Sequence, residues 1–240
     1  MENKITVVFI HGFLSDKNFS ILLTKPIEYL AEIKVLDLPG HAGVPLGDIK
    51  DISGFVNNLS SFIKQNIVSK YIVCGYSFGG EIALEYHNNI FGDSNYLGCL
   101  AWASPVNGQL TLVSKTMHFV FKYFISANVF DFIKSRQTIQ KLLLKVGLNI
   151  KNSNKHELIT ILDILCNYSF KVVETTKKAV FVFHKHDFII SDKNIKYIPK
   201  GIKIYVVNNL GHLPFQNCIK EVCNIIKNEF ILNNSAKEVI

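Results

Sequence analysis

The sequence predicts an α/β fold: a doubly wound, mostly parallel sheet of about six strands with helices on both faces and a helical insertion. Three observations carry this. Short β-branched runs alternate with longer helical patterns along most of the chain. The runs are almost continuously apolar, as strands buried on both faces must be. One interval of about 70 residues breaks the alternation and is too long for an ordinary loop. With 48% hydrophobic and only 19% charged residues, a chain of 240 residues can close a sizeable core.

The expected strands are Ile5–Ile10, Ile33–Asp37, Lys70–Gly75, Leu97–Ala103, Ala179–His184 and Ile202–Val207. Between them the helical period appears near Phe19–Leu30, Ile52–Asn66, Phe78–Asn89 and Cys218–Leu232. From Pro105 to Lys178 no strand is expected; helices can be drawn instead over Val113–Ile125, Gln137–Val146 and His156–Asn167. Gly147 and Asn152-Ser153-Asn154 supply turn signals there. The expected division is therefore a sheet domain of residues 1–104 and 179–240, with residues 105–178 as a helical subdomain.

The charge divides the same way. The net charge is +7, and residues 107–178 hold eleven basic side chains against four acidic ones, while the remainder balances at 15 of each. The excess reads either as a solvated lysine-rich surface or as a docking face for something anionic.

Gly75-Tyr76-Ser77-Phe78-Gly79-Gly80 lies between an expected strand and an expected helix. A GxSxG match alone arises by chance about once in ten chains of this length. Its context raises its weight: a strand, a sharp turn with small residues around serine, then a helix holds the hydroxyl clear of the sheet as a nucleophile. The helix N-terminus also favours developing negative charge.

A serine hydroxyl needs a base. Of eight histidines, His212 lies just past the last strand, in Asn209-Leu210-Gly211-His212-Leu213-Pro214-Phe215. The base in turn needs a carboxylate to orient it. Asp187 follows the fifth strand within His184-Lys185-His186-Asp187-Phe188, with Asp192 the nearest competitor. A tetrahedral intermediate requires backbone donors. The candidates are the N–H of Phe78, after the serine, and that of Phe13 in His11-Gly12-Phe13, where the first strand ends.

These motifs, in this order, resemble the α/β-hydrolase superfamily over nearly the whole chain: His11-Gly12-Phe13, Asp37-Leu38-Pro39-Gly40-His41, Gly75–Gly80, Asp187 and Gly211-His212. The order Ser, Asp, His along the chain belongs to that fold. The resemblance implies that the insertion is a cap over the active site, and against the superfamily's pattern the leading hairpin is expected to be missing or severely shortened. It also shows a departure, Gly40-His41-Ala42-Gly43 where Gly-His-Gly is common, which bears on the entrance. Dehalogenases and epoxide hydrolases of the fold use an acidic nucleophile, and Ser77 argues against both.

Within the superfamily the chain is similar to small carboxylesterases. Among these are the methyl esterases of biotin synthesis, which act on pimeloyl-acyl carrier protein methyl ester and dock the acidic carrier on a basic cap. That resemblance implies a serine carboxylesterase working through an acyl-enzyme, with Lys134, Arg136, Lys141 and Lys145 as docking candidates. Two other readings stand beside it: an acylglycerol lipase or thioesterase working at anionic membrane surfaces, and a hydrolase-fold ligand-binding protein.

The remaining expectations are exclusions. Five cysteines at irregular spacing, with no CxxC, fit a reduced compartment better than a disulfide framework. Met1 runs almost directly into Ile5–Ile10, so no secretory leader is expected, and no apolar run is long enough for a transmembrane helix. A cytoplasmic monomer is expected. His184-x-His186-Asp187 hints at metal ligands, but no second cluster accompanies it, so neither metal nor cofactor is expected. No nucleic-acid motif accompanies the lysines.

Overall fold

In a computed structural model, residues 4–90, 92–106, 111–169, 177–190, 192–200 and 202–232 are described. Residues 107–110 and 170–176 of the expected insertion, Lys171 among them, lie outside these, as does the side chain of Asp192.

Six strands, β1 (Thr6–Ile10), β2 (Glu32–Leu36), β3 (Tyr71–Tyr76), β4 (Tyr96–Trp102), β5 (Lys178–His186) and β6 (Lys203–Leu210), form one sheet in the order β2-β1-β3-β4-β5-β6. Every pairing is parallel. The interior strands are apolar because both faces are covered; β1 and β3 are buried throughout, whereas the edge strands β2 and β6 are only partly so. Alternation along β1 sorts side chains to the two faces. Val7 and Phe9 join a core with Leu23 and Ile226, while Val8 and Ile10 join a second core with Phe55, Leu59 and Ile82.

Helix α1 (Lys17–Thr24) and helix α8 (Gln216–Ile226) cover the first face; α2 (Ile52–Asn66) and α3 (Phe78–Asn89) cover the second. The helical period over 19–30 breaks early, because Pro26 has no N–H to continue the ladder and residues Lys25–Ile27 tighten into a 3-10 turn. Strands β5 and β6 run two and three residues further than expected, which places Asp187 directly after β5.

Between β4 and β5 the described residues make four helices: α4 (Leu112–Tyr123), α5 (Ala127–Ser135), α6 (Gln137–Lys145) and α7 (Lys155–Asn167). Side chains of Thr111, Ser126 and Asn154 cap α4, α5 and α7. Helix α5 is the one the sequence reading did not draw; its N-cap serine and the Phe130/Ile133 spacing are the signals for it. Phe130, Ile150 and Leu158 form a small core that takes in Phe121 and Leu143 and reaches Phe13 and Leu14 of the sheet domain.

The strand order reverses between β1 and β3, which leave the centre in opposite directions. A crevice opens at such a switch point, beyond the carboxyl ends of the strands. His11-Gly12-Phe13 and Ser77 follow these two strands.

Candidate active site

Ser77 stands between β3 and α3 with φ 53° and ψ −120°. A non-glycine residue there is strained by roughly 1–3 kcal/mol, and surrounding packing must hold it. The neighbouring glycines show how close that packing is. A Cβ on Gly75 would lie 2.0 Å from the Gly79 carbonyl oxygen, and one on Gly79 would lie 2.4 Å from that of Ile10. The Ser77 N–H donates to the Trp102 carbonyl at 2.8 Å, tying the turn to β4. Ser77 remains 8% exposed, at the floor of a cavity.

The structure brings Ser77, His212 and Asp187 into one chain of hydrogen bonds. Asp187 can only accept, so His212 carries its proton on Nδ1 and donates to Asp187 Oδ2 at 2.7 Å. His212 Nε2 is then free to accept from Ser77 Oγ at 2.9 Å. The other Asp187 oxygen accepts from the N–H groups of Ile189 and Ile190 at 2.7 and 3.0 Å. Burial works to raise this carboxyl, but the His212 hydrogen bond and charge, with the two backbone donors, outweigh it and hold the group below the ordinary carboxylate value.

The two expected N–H donors lie on either side of Ser77, one on the Ser77 turn and one on the loop after β1. Phe78 opens α3, its N–H at the helix N-terminus and its ring buried against Phe55. Gly12 passes directly over the serine: a Cβ there would lie 3.1 Å from Ser77 Cβ. Phe13 follows it and lines the same cavity as Ser77. His11 is buried and ties this loop to its neighbour, accepting from the Leu38 N–H at 3.1 Å and donating to the Gly12 carbonyl at 2.9 Å. Burial lowers its pKa and keeps it neutral.

Sequence reasoning missed a layer of residues beneath the histidine loop. Tyr76 donates to the His212 carbonyl at 2.7 Å, and its ring lies 5.3 Å from the imidazole. Asn209 donates to the carbonyls of Gly211 and Leu213 at 2.9 and 3.0 Å and accepts from the Phe215 N–H at 2.9 Å. His184 accepts from Trp102 Nε1 at 2.8 Å and donates through Nδ1 to the Gly211 carbonyl at 3.0 Å. Burial lowers its pKa to about 4, so it serves as a neutral strut. The signal was present: a histidine and an asparagine inside otherwise apolar strand ends.

The metal reading of His184, His186 and Asp187 has no geometric support, since His184 is buried and spent on these bonds while His186 is exposed. Among the described residues, no group of three or more His, Cys, Asp or Glu is placed to hold a metal ion.

The cavity measures about 310 Å³ and lies between the sheet end and helices α4 and α7. Apart from Ser77 and His212 its polar wall consists of Ser114, His118 and Cys166; the other lining residues are apolar, Phe121, Leu162, Leu165 and Ile190 among them. Among the described residues, no lysine, arginine or acidic side chain lines it. His118 bridges α4 to α7, donating to Asp163 Oδ1 at 3.1 Å with Cys166 Sγ 3.4 Å from its other ring nitrogen.

The expected docking residues fall into two pairs. Lys134 is drawn inward, paired with Asp131 at 3.1 Å and bonded to the Ser153 carbonyl at 3.2 Å, and Arg136 stacks on Phe132 at 4.2 Å. Lys141 and Lys145 stand exposed one helical turn apart on α6.

No protein-family model matches the chain. Over 80 residues, 33% of the chain, it is 32% identical to 2-succinyl-6-hydroxy-2,4-cyclohexadiene-1-carboxylate synthase of Klebsiella pneumoniae; the match spans 31% of that relative's length. The fold is similar to that of the esterase EaEST from Exiguobacterium antarcticum, with a TM-score of 0.73 at 16% identity over 95% of this chain and 92% of that one. It is similar also to MenH from S. aureus, with a TM-score of 0.66 at 16% identity over 95% and 96% of the two chains. These likenesses establish the α/β-hydrolase fold.

Proposed function

For a chain of the α/β-hydrolase fold with this site, we propose that it is a serine-dependent carboxylic ester hydrolase working through an acyl-enzyme. The observation that carries the reading is the continuous relay Ser77–His212–Asp187 at the floor of an apolar cavity. Ser77 Oγ attacks the ester carbonyl while His212 Nε2 takes its proton. The N–H groups of Phe13 and Phe78 receive the oxyanion, a donor pair whose members are worth about 10²–10³ each in rate. The intermediate collapses with proton return from His212 to the leaving alkoxide, and a water activated by the same nitrogen releases the acid. Asp187 holds the tautomer this requires and stabilises the imidazolium.

The cavity favours an uncharged acyl group. Its volume lies at the lower end of the roughly 300–1,000 Å³ typical of small-molecule sites. The Klebsiella relative is named for making a carboxylate, and among the described residues no cation lines the cavity here to receive one. The finer reading, a methyl ester carried on an acidic acyl carrier protein, rests on the basic insertion. Of its four candidate residues only Lys141 and Lys145 stand free.

The test is a chain-length panel of p-nitrophenyl esters with the native protein and Ser77→Ala. Turnover of short and medium chains is expected, falling by about 10³-fold or more in the variant. Equal hydrolysis by Ser77→Ala would sink the mechanism. Tight ligand binding with no turnover by the native protein would make it a binding protein of this fold.

A further inference from the structure

Helices α4, α5 and α6 bury one flank against their shared core and turn the other outward, and that outward flank is greasy. Ten of the twenty large hydrophobic side chains exposed among the described residues fall between Leu112 and Val146. On α4 the side chains of Ser114, His118 and Phe121 face the cavity, while Phe119 and Tyr123 face away. Phe119 packs its ring against Tyr123 at 5.0 Å and against Phe124 at 5.7 Å, and Phe124 is still 72% exposed. Phe132 on α5 and Leu142 on α6 are exposed as well. Single exposed hydrophobics are ordinary; a cluster of this extent marks an interaction surface.

The same helices carry cations. Lys115, Lys141 and Lys145 are exposed and make no salt bridge among the described residues, and Arg136 lies over the exposed Phe132 ring. Aromatic and leucine side chains interleaved with unpaired lysines are the composition of a surface that lies in the headgroup layer of an anionic bilayer, with rings reaching the acyl boundary and ammonium groups at the phosphates. An acidic protein partner would use the cations but leave the rings without a role.

The surface also reaches the cavity mouth. The start of α4 is stitched to the loop after β5: the Thr111 hydroxyl donates to the Phe188 carbonyl, and the Thr111 N–H and Ser114 hydroxyl donate to that of Ile189 at 3.1 and 2.9 Å. The 80% exposed Leu112 thus follows directly on a residue bonded to the backbone of Phe188, which lines the cavity and is 56% exposed.

We infer that the outward face of α4–α6 docks on anionic phospholipid and sets the cavity mouth against the bilayer. Binding is independent of the chemistry; that the lipid phase also delivers apolar esters to Ser77 rests on the hydrolase reading above.

The experiment is co-sedimentation of Ser77→Ala protein with phosphatidylcholine vesicles, with and without one-third phosphatidylglycerol, at low salt and at about 0.5 M salt. Binding is expected to the anionic vesicles, to weaken at least tenfold in high salt, and to be weak on phosphatidylcholine alone. Each lysine near such a surface contributes about fivefold, so Lys141→Glu with Lys145→Glu lowers partitioning by more than tenfold. Phe119→Ser with Phe124→Ser lowers it at both salt concentrations, and circular dichroism checks that each variant is folded. Absence of anionic-vesicle binding overturns the inference. So does binding unaffected by both pairs of changes, a stable dimer that buries these rings, or an acyl carrier protein that binds through Lys141 and Lys145 where vesicles do not. Because the probe protein lacks the nucleophile, none of these results depends on whether the chain hydrolyses esters.

Discussion

The sheet-end loops and the inserted helices enclose the same cavity, yet they are built by different rules. Beneath His212 the polar groups are buried and specifically bonded: Tyr76, Asn209, His184 and Trp102 each hold a fixed partner. In the insertion the polar ties include part-buried ones such as Asn149 to Asp16 at 2.7 Å, Glu157 to the Leu46 N–H at 3.1 Å, and Lys122 with His118 on Asp163. Acid–base chemistry depends on direction, and a misplacement of about 1 Å can cost 100-fold in rate, so the sheet end is over-determined. An apolar wall acts without direction and only has to exclude water and match a shape.

The comparison can be broken most sharply at Asp187. Asp187→Asn preserves volume but permits the wrong tautomer of His212, and kcat is expected to fall by about 10⁴-fold with little change in KM. Steady-state kinetics on a p-nitrophenyl ester measures this, and a loss below tenfold would mean that the carboxylate does not orient the base.

On the other wall, Leu162→Trp narrows the cavity without touching the relay. A medium-chain ester should lose about tenfold or more in kcat/KM while an acetyl ester stays within a few-fold. Parallel losses on both esters would place Leu162 in the service of the relay instead of the acyl group.

Glu81 gives the smallest and most local test, at the seam between the two regions. It lies in the first turn of α3, fully buried, with no hydrogen-bond partner for either carboxyl oxygen among the described residues, and its charge would reach Cys166 and Tyr168 of the insertion. Burial raises its pKa well above the ordinary glutamate value. Below the unfolded pKa both states hold the proton and nothing is lost. As pH rises past it, only the unfolded chain ionises, and folding stability declines. Glu81→Gln should therefore raise the melting temperature by a few degrees near pH 7, with the gain vanishing near pH 4. A gain equal at both pH values would mean that ionisation is not the cause.

Much of the fold was legible because buried parallel strands need continuous apolar runs and helices need caps and turn breakers. Helices 52–66 and 78–89 fall where periodicity put them. The ends of β5 and β6 were misjudged because His186, Asn208 and Asn209 are polar yet extend strands, held there by neighbour pairing that no local pattern reveals.

That Ser77, His212 and Asp187 belong together could be read from the sequence alone, because a strained turn demands glycines around Ser77 and strand ends mark where loops begin; the structure joins the three by hydrogen bonds. Charge could be located the same way, since a count needs no coordinates. Which charges are free could not be: Lys134 and Lys141 look alike in sequence, and only folding spends one on Asp131 and leaves the other in water. Tertiary structure likewise decided which histidine meets Ser77: His184 near the end of β5 is bonded to Trp102 and the Gly211 carbonyl, whereas His212 beyond β6 reaches Ser77, and only their neighbours in space distinguish them. It also decided which rings of the insertion close the core and which stay exposed.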